Sequence, residues 1–310
     1  MKIVFVGNHS VSYSSETHHC NSLESLGHEV LRLQEGRVSG ELIVERCKDA
    51  DLLVLVHTHG WQTEKIELLN SLKIPIISYH LDLWLGINRE KELTDDPVYK
   101  IYDHWFVTDK LMVDWLNQNT NTKGHFLMAG VYDKECFINK SYNPKEFDYD
   151  VIFVGSRNYH PEWEFRPKLI DWLKNNYGNR FLHVGGDGDT GTVRGWALNR
   201  IYARSKIAVG DTLNIGFDYP WYSSDRLFES MGRGGFTIYP DIKGLSNYFK
   251  DGKHLAYYRH GDFDNLKKKI DYYLENESER EKIRLTGHEE CKKNHTYVKR
   301  WQTILNEVLK

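Results

Sequence analysis

The chain has 310 residues, a net charge of −3 and 13% aromatic residues, which is length enough for two domains with a core in each. It contains no run of eighteen apolar residues, so neither a membrane-spanning helix nor a transmembrane anchor is expected. The four cysteines, Cys20, Cys47, Cys136 and Cys291, are scattered without a Cys-x-x-Cys pair; this argues against structural zinc and fits reduced thiols in a cytoplasmic protein.

In chain order, residues 2–6 read as a first strand. Asn8, His9 and Ser10 interrupt the apolar run at once and no small-residue cleavage site follows, so it is not expected to be a leader. Residues 51–56, 74–79 and 105–107 read as further buried strands, with helices over 16–25 and 63–72. Strand and helix in alternation predict a parallel sheet covered on both faces, with ligands at the carboxyl ends of the strands. Polar residues gather at those ends: Gly7 to Ser10, His57 to Trp61, and His80, Asp82 and Trp84.

From about 131 to 149 the periodicity lapses, which places a domain boundary there. A second series follows: a strand from 149 ending in Gly155, Ser156 and Arg157, a helix over 161–176, a strand over 180–184, a helix near 195–204 and a strand over 206–209. The tail from Asp262 is helical and charged, and Lys267, Lys268 and Lys269 read as a solvated helix face. Residues 1–147 carry 15 Lys and Arg against 21 Asp and Glu, whereas 148–310 carry 26 against 23. The second half is therefore the expected home of a phosphate-bearing ligand, and the first a poor general surface for nucleic acid.

Residues 223–235 organise this second series. Ser223 or Ser224 suits an N-cap, Asp225 puts a carboxylate in the first turn, and Leu227, Phe228 and Met231 form an apolar face. Gly232, Gly234 and Gly235 end the helix, and 236–239 reads as the next strand. A helix N-terminus with Arg226 in its first turn suits a diphosphate, and Glu229 suits the vicinal hydroxyls of a ribose. The plainer reading of Arg226 and Glu229 is a surface ion pair one turn apart.

The order of these motifs resembles the donor-binding domain of GT-B glycosyltransferases, in particular the group containing family 4 enzymes, CgeB-type proteins and their phage relatives. The resemblance runs through Val154 to Arg157, Val184 to Gly188, Asp225 to Phe236, Gly244, Asp251 and Gly252, Leu274, and His295 to Tyr297. In the first half it is looser, at Gly7 and at the strand ending in His80. It implies an α/β protein of two Rossmann-like domains with parallel sheets facing across a cleft. Residues 1–145 would form the acceptor-side domain and 146–295 the nucleotide-sugar domain, with a final helix over 296–310 packing back on the first. It further implies that Glu229 takes the donor ribose, Arg157 the diphosphate and His80 the transferred sugar or its leaving oxygen. Gly7 would allow a loop to approach the phosphates, and the glycine-rich loop with Gly186 and Gly188 would pass close to the base or ribose. Two departures stand out: Trp221 occupies the position of a second family glutamate, and the lysine expected after the phosphate arginine is absent, with Arg166 or Arg226 as substitutes.

The expected activity is transfer of a sugar from a nucleoside diphosphate sugar to an acceptor hydroxyl, with no metal or other cofactor. Asp225, Arg226 and the helix end would serve the donor, and Asp82 or His80 would act as base in an inverting reaction. His57 and His59 with His80 or Asp82 have the residue types of a metal site. Three other functions stay open: a DNA-base glycosyltransferase, a noncatalytic nucleotide-sugar binding module, and an NAD-linked oxidoreductase. The last rests on Gly186, Gly188 and Gly191 spaced as a dinucleotide fingerprint, with Asp211 after the next strand.

Overall fold

The computed structural model describes residues 1–56, 61–83, 94, 99, 101–143, 145–158, 163–213 and 219–310. His57, His59, Gly60, Trp84 and Pro161 lie outside the described residues. The chain divides into two compact units, Met1–Met128 with Tyr297–Lys310, and Ala129–Thr296.

The first unit runs β1 (Lys2–Gly7), α1 (Ser15–Ser25), β2 (Glu29–Gln34), α2 (Gly40–Cys47), β3 (Leu52–Leu55), α3 (Thr63–Leu69), β4 (Ile76–His80), β5 (His104–Val107), α4 (Lys110–Asn119) and β6 (Lys123–Phe126). Its six strands pair in parallel in the order β2-β1-β3-β4-β5-β6. The central strands are buried apolar runs, as a sheet covered on both faces requires. The direction of winding reverses between β1 and β3, the position at which such sheets leave a crevice beyond their carboxyl ends.

The second unit runs β7 (Tyr149–Val154), α5 (Phe165–Tyr177), β8 (Phe181–Val184), α6 (Gly195–Ala203), β9 (Ser205–Val209), α7 (Asp225–Gly232), β10 (Thr237–Pro240), β11 (Ala256–Tyr258), α8 (Phe263–Glu275) and α9 (Glu277–Asn294). Five parallel strands pair in the order β11-β10-β9-β7-β8, so the winding reverses between β7 and β9. Val151, Phe153, Ile207, Val209 and Ile238 cover one face of that sheet with Leu169, Leu173, Leu266 and Ile270.

The units divide at Met128, earlier in the chain than the lapse of periodicity, because the following segment is tied to the second unit by its polar groups. Val131 N donates to His295 O at 3.0 Å, Asn199 Nδ2 donates to the carbonyls of Glu135 and Phe137 at 2.8 and 2.7 Å, and Asp148 pairs with Arg204. The chain then returns to the first unit as α10 (Tyr297–Val308). Trp301, Ile304 and Leu305 of α10 enter a core with Ile3, Phe5, Cys20 and Leu23. Trp301 Nε1 donates to His19 Nδ1 at 3.2 Å, and Arg300 Nε to Met128 O at 2.8 Å.

Candidate donor and acceptor sites

The central helix of the second unit forms where its residues predict it. Ser224 is the extended N-cap of α7, Leu227, Phe228 and Met231 are buried, and the C-terminus closes on glycine. Gly234 has φ +84°, its N–H donates to Met231 O at 3.0 Å and that of Gly235 to Ser230 O at 2.8 Å, the double bond of a Schellman turn. At the other end, Ser224 N donates to the buried Tyr239 hydroxyl at 3.3 Å. The Ser223 hydroxyl, 1% exposed, has no hydrogen-bond partner among the described residues.

Glu229 lies one turn into α7 between two arginines. Arg226 Nη1 donates to its Oε2, and Arg233 Nη2 reaches its Oε1 at 3.4 Å. Arg233 is almost wholly buried. It also donates to Glu135, to Asn199 Oδ1 at 2.6 Å and to Gly195 O at 3.1 Å. The pair expected from the sequence is thus one arm of a buried network rather than an isolated surface bridge. Burial alone would raise the Glu229 carboxyl, but Arg226, Arg233 and Arg194 outweigh it and hold it at about 2. Glu135 goes the other way, because burial there exceeds the pull of Arg233. An ionised carboxylate offers about four lone-pair sites, so Glu229 keeps acceptor capacity beyond its two arginines.

Arg157, expected at the diphosphate, is paired with a carboxylate. Its guanidinium forms a two-pronged pair with Asp171 of α5 at 2.6 Å on both arms, and its backbone N donates to Asp187. The cation at the reversal of winding is Arg166, in the first turn of α5. Arg166 Nε lies 2.9 Å from Asp211 Oδ2, Nη1 donates to Ser156 O at 3.0 Å, and the guanidinium sits 3.8 Å above the Trp163 ring. Ser156 follows β7 and Asp211 follows β9, the two strands that flank the crevice position.

The glycine-rich loop is a turn folded on its own strand. Gly185 and Gly191 form an antiparallel bridge, Asp189 accepts from His183 N at 2.9 Å, and a Cβ on Gly188 would lie 2.5 Å from His183 O. A Cβ on Gly186 would have its nearest neighbour at 3.5 Å, the Thr192 hydroxyl. Helix α6 starts only at Gly195, and Asp211 is engaged by Arg166. The loop therefore does not open a helix over a pyrophosphate as the dinucleotide fingerprint would require.

In the first unit, His80 ends β4, buried and stacked on Trp105 with ring centroids 6.3 Å apart and planes 9° apart. Its Nε2 is 3.9 Å from Asp82 Oδ2, whose side chain is 41% exposed. Gly7 ends β1 against α1: a Cβ there would lie 2.7 Å from Cγ of Glu16. Helix–strand packing alone thus calls for glycine at this position. Among the described residues, no three His, Cys, Asp or Glu side chains are grouped to hold a metal ion. None of the described helices is long and apolar enough to cross a membrane.

Sequence reasoning did not assign Arg233, Glu135 or Asn199 to the site. Arg233 could have been found as the residue four positions after Glu229, on the same face of α7. Glu135 carries no sequence signal, because it comes from the irregular segment before β7.

Residues 166–306 match a family model described as glycosyl transferase-like. No curated protein sequence matches the chain. Solved structures share its fold along nearly their whole lengths. A sucrose-phosphate synthase from Thermosynechococcus elongatus superposes with a TM-score of 0.66 at 11% identity, covering 99% of this chain and 98% of that one. The chain has the GT-B fold of two Rossmann-like domains. HepE from Anabaena, in complex with UDP and glucose, superposes on this chain with a TM-score of 0.69 at 11% identity, covering 100% and 99% of the two chains. An alpha-glucosyltransferase in complex with UDP-glucose and DNA containing an abasic site gives 0.71 at 10% identity, again covering 100% and 99%.

Proposed function

We propose that this chain is a glycosyltransferase that takes its sugar from a nucleoside diphosphate sugar held mainly by the second unit, and transfers it to an acceptor hydroxyl without a metal ion. The observation that carries the reading is the Glu229 carboxylate, held ionised by Arg226 in the first turn of α7 and Arg233 at its C-cap. It would accept from the two ribose hydroxyls. Arg226 and the N-terminal end of α7, with the unpartnered Ser223 hydroxyl beside it, would take the diphosphate.

Breaking the bond from the anomeric carbon to the diphosphate leaves growing negative charge on the leaving phosphate and an oxocarbenium-like sugar. A fixed guanidinium and a helix N-terminus oriented at that phosphate stabilise the transition state more than the bound donor. Asp225, in the same first turn, would orient Arg226 or a donor hydroxyl. Arg166, at the reversal of winding, would supply a second cation in place of the absent lysine. Gly186 and Gly188 would let their loop run close to the base or ribose. In the first unit, His80 with Asp82 would receive the proton of the acceptor hydroxyl.

Isothermal titration with UDP, GDP and ADP, with and without a chelator, tests this reading. One nucleoside diphosphate binding with micromolar affinity, unchanged by chelator, is the expected result; none binding removes the donor site. A hydroxymethylated base in DNA is one acceptor to assay, favoured by the likeness to the DNA-bound alpha-glucosyltransferase. The excess of acidic residues over 1–147 opposes it.

A further inference from the structure

Trp196 is the most exposed large hydrophobic side chain among the described residues, at 66%, and its ring has no aromatic or cationic partner among them. Scattered exposed apolar residues are ordinary, but the position of this one is not arbitrary. It stands in the first turn of α6, one residue after Gly195, whose carbonyl accepts from Arg233 Nη1 at 3.1 Å, while the other terminal nitrogen of the same guanidinium reaches Glu229. Gly195 also lies against Glu135: a Cβ there would be 3.9 Å from Glu135 Oε1. Arg194, on its other side, is near enough to depress the Glu229 carboxyl. The chain is thus pinned to the carboxylate network immediately before it presents a bare indole to solvent.

We infer that Trp196 is the platform on which the donor's nucleobase stacks once its ribose is held by Glu229. The inference rests on the donor-site reading above and adds the residue that reads the base. An indole face stacks on any base, so it supplies affinity with little discrimination, and removal of such a platform typically costs about tenfold or more.

The test is titration of the full chain and of Trp196→Ala, Trp196→Leu and Trp196→Phe with the preferred nucleoside diphosphate and with ribose 5-phosphate. The inference predicts about tenfold weaker nucleoside diphosphate binding by the Ala and Leu variants, near-normal binding by the Phe variant, and unchanged binding of ribose 5-phosphate by all. Equal loss for both ligands would mean that Trp196 only positions the Glu229 network, and unchanged affinity for both would mean that the indole is bystander surface. Either result overturns the inference while leaving the donor site standing. A wild-type chain that binds no nucleoside diphosphate overturns the donor site and the platform together.

Discussion

Arg166 and Asp211 form a buried ion pair, Nε to Oδ2 at 2.9 Å, that ties the end of β9 to the start of α5. Burial still raises the Asp211 carboxyl, because Arg166 only partly offsets the loss of water around it. Such a pair adds little net stability when whole, but leaving either member alone is costly. Asp211→Asn should therefore destabilise the fold by about 3 kcal/mol in urea unfolding, and should weaken donor binding by freeing Arg166 to move. An unfolding midpoint equal to wild type would show that Arg166 finds another counter-charge.

Arg233 and Arg226 should separate stability from binding. Arg233 is about 1% exposed and serves Glu229, Glu135, Asn199 and Gly195 at once. Arg233→Met should cost about 3–5 kcal/mol of stability, since two carboxylates lose their buried cation. Arg226 is more exposed, at 25% of its side chain, and donates to Glu229. Arg226→Met should change unfolding far less and nucleoside diphosphate affinity more. Equal effects of the two substitutions on stability would contradict this division.

The glycines of the second unit make a similar contrast. Gly188→Ala drives a Cβ to 2.5 Å from a backbone carbonyl, whereas Gly186→Ala meets only ordinary contacts. The first should lose about 1–3 kcal/mol of stability, and the second should fold as wild type. Gly186→Ala is thus the clean probe of whether this loop touches the donor: a change in nucleoside diphosphate affinity without a change in melting temperature places the loop at the ligand.

His19 makes the stability of the first unit depend on pH. Its Nδ1 accepts from Trp301, its ring packs 4.1 Å from that of Tyr297, and burial lowers it from 6.5 to about 3. The unfolded chain takes up a proton below about 6.5 that the folded chain refuses. The contribution is therefore fully present above that pH and lost as pH falls toward 3, by about 1.4 kcal/mol per pH unit. In the second unit, burial lowers His260 to about 4, which gives that unit a slope of the same sign. His19→Gln should remove one proton's worth of slope between pH 6 and 4.5, measured by urea unfolding at each pH; an unchanged slope would mean that α10 releases His19 before the unit unfolds.

Much of this architecture was legible because central parallel strands must be apolar on both faces: β1, β3, β4, β7 and β9 each carry a buried apolar stretch. Strands β2, β6 and β11 escaped notice. All three are sheet edges, and β2 and β6 interleave charged and polar residues such as Glu29, Arg32, Lys123 and His125 with their apolar ones. Helix α7 was readable from its caps, and Glu229 with Arg226 from their spacing. The rest of the network was not, because Glu135 and Asn199 reach Arg233 from 98 and 34 residues away. The direction of Arg157 was hidden for the same reason: its partner, Asp171, stands on a helix whose facing side only packing decides.

The measurement that bears most directly on the account is titration of wild type and Glu229→Gln with the preferred nucleoside diphosphate, alongside their unfolding curves. The substitution keeps the shape of the side chain and removes the charge that faces Arg226 and Arg233. The account predicts affinity at least tenfold weaker, with a chain that remains folded and unfolds in one cooperative transition. Wild-type affinity and full transferase activity in Glu229→Gln would contradict it, and would place the donor ribose elsewhere in the molecule.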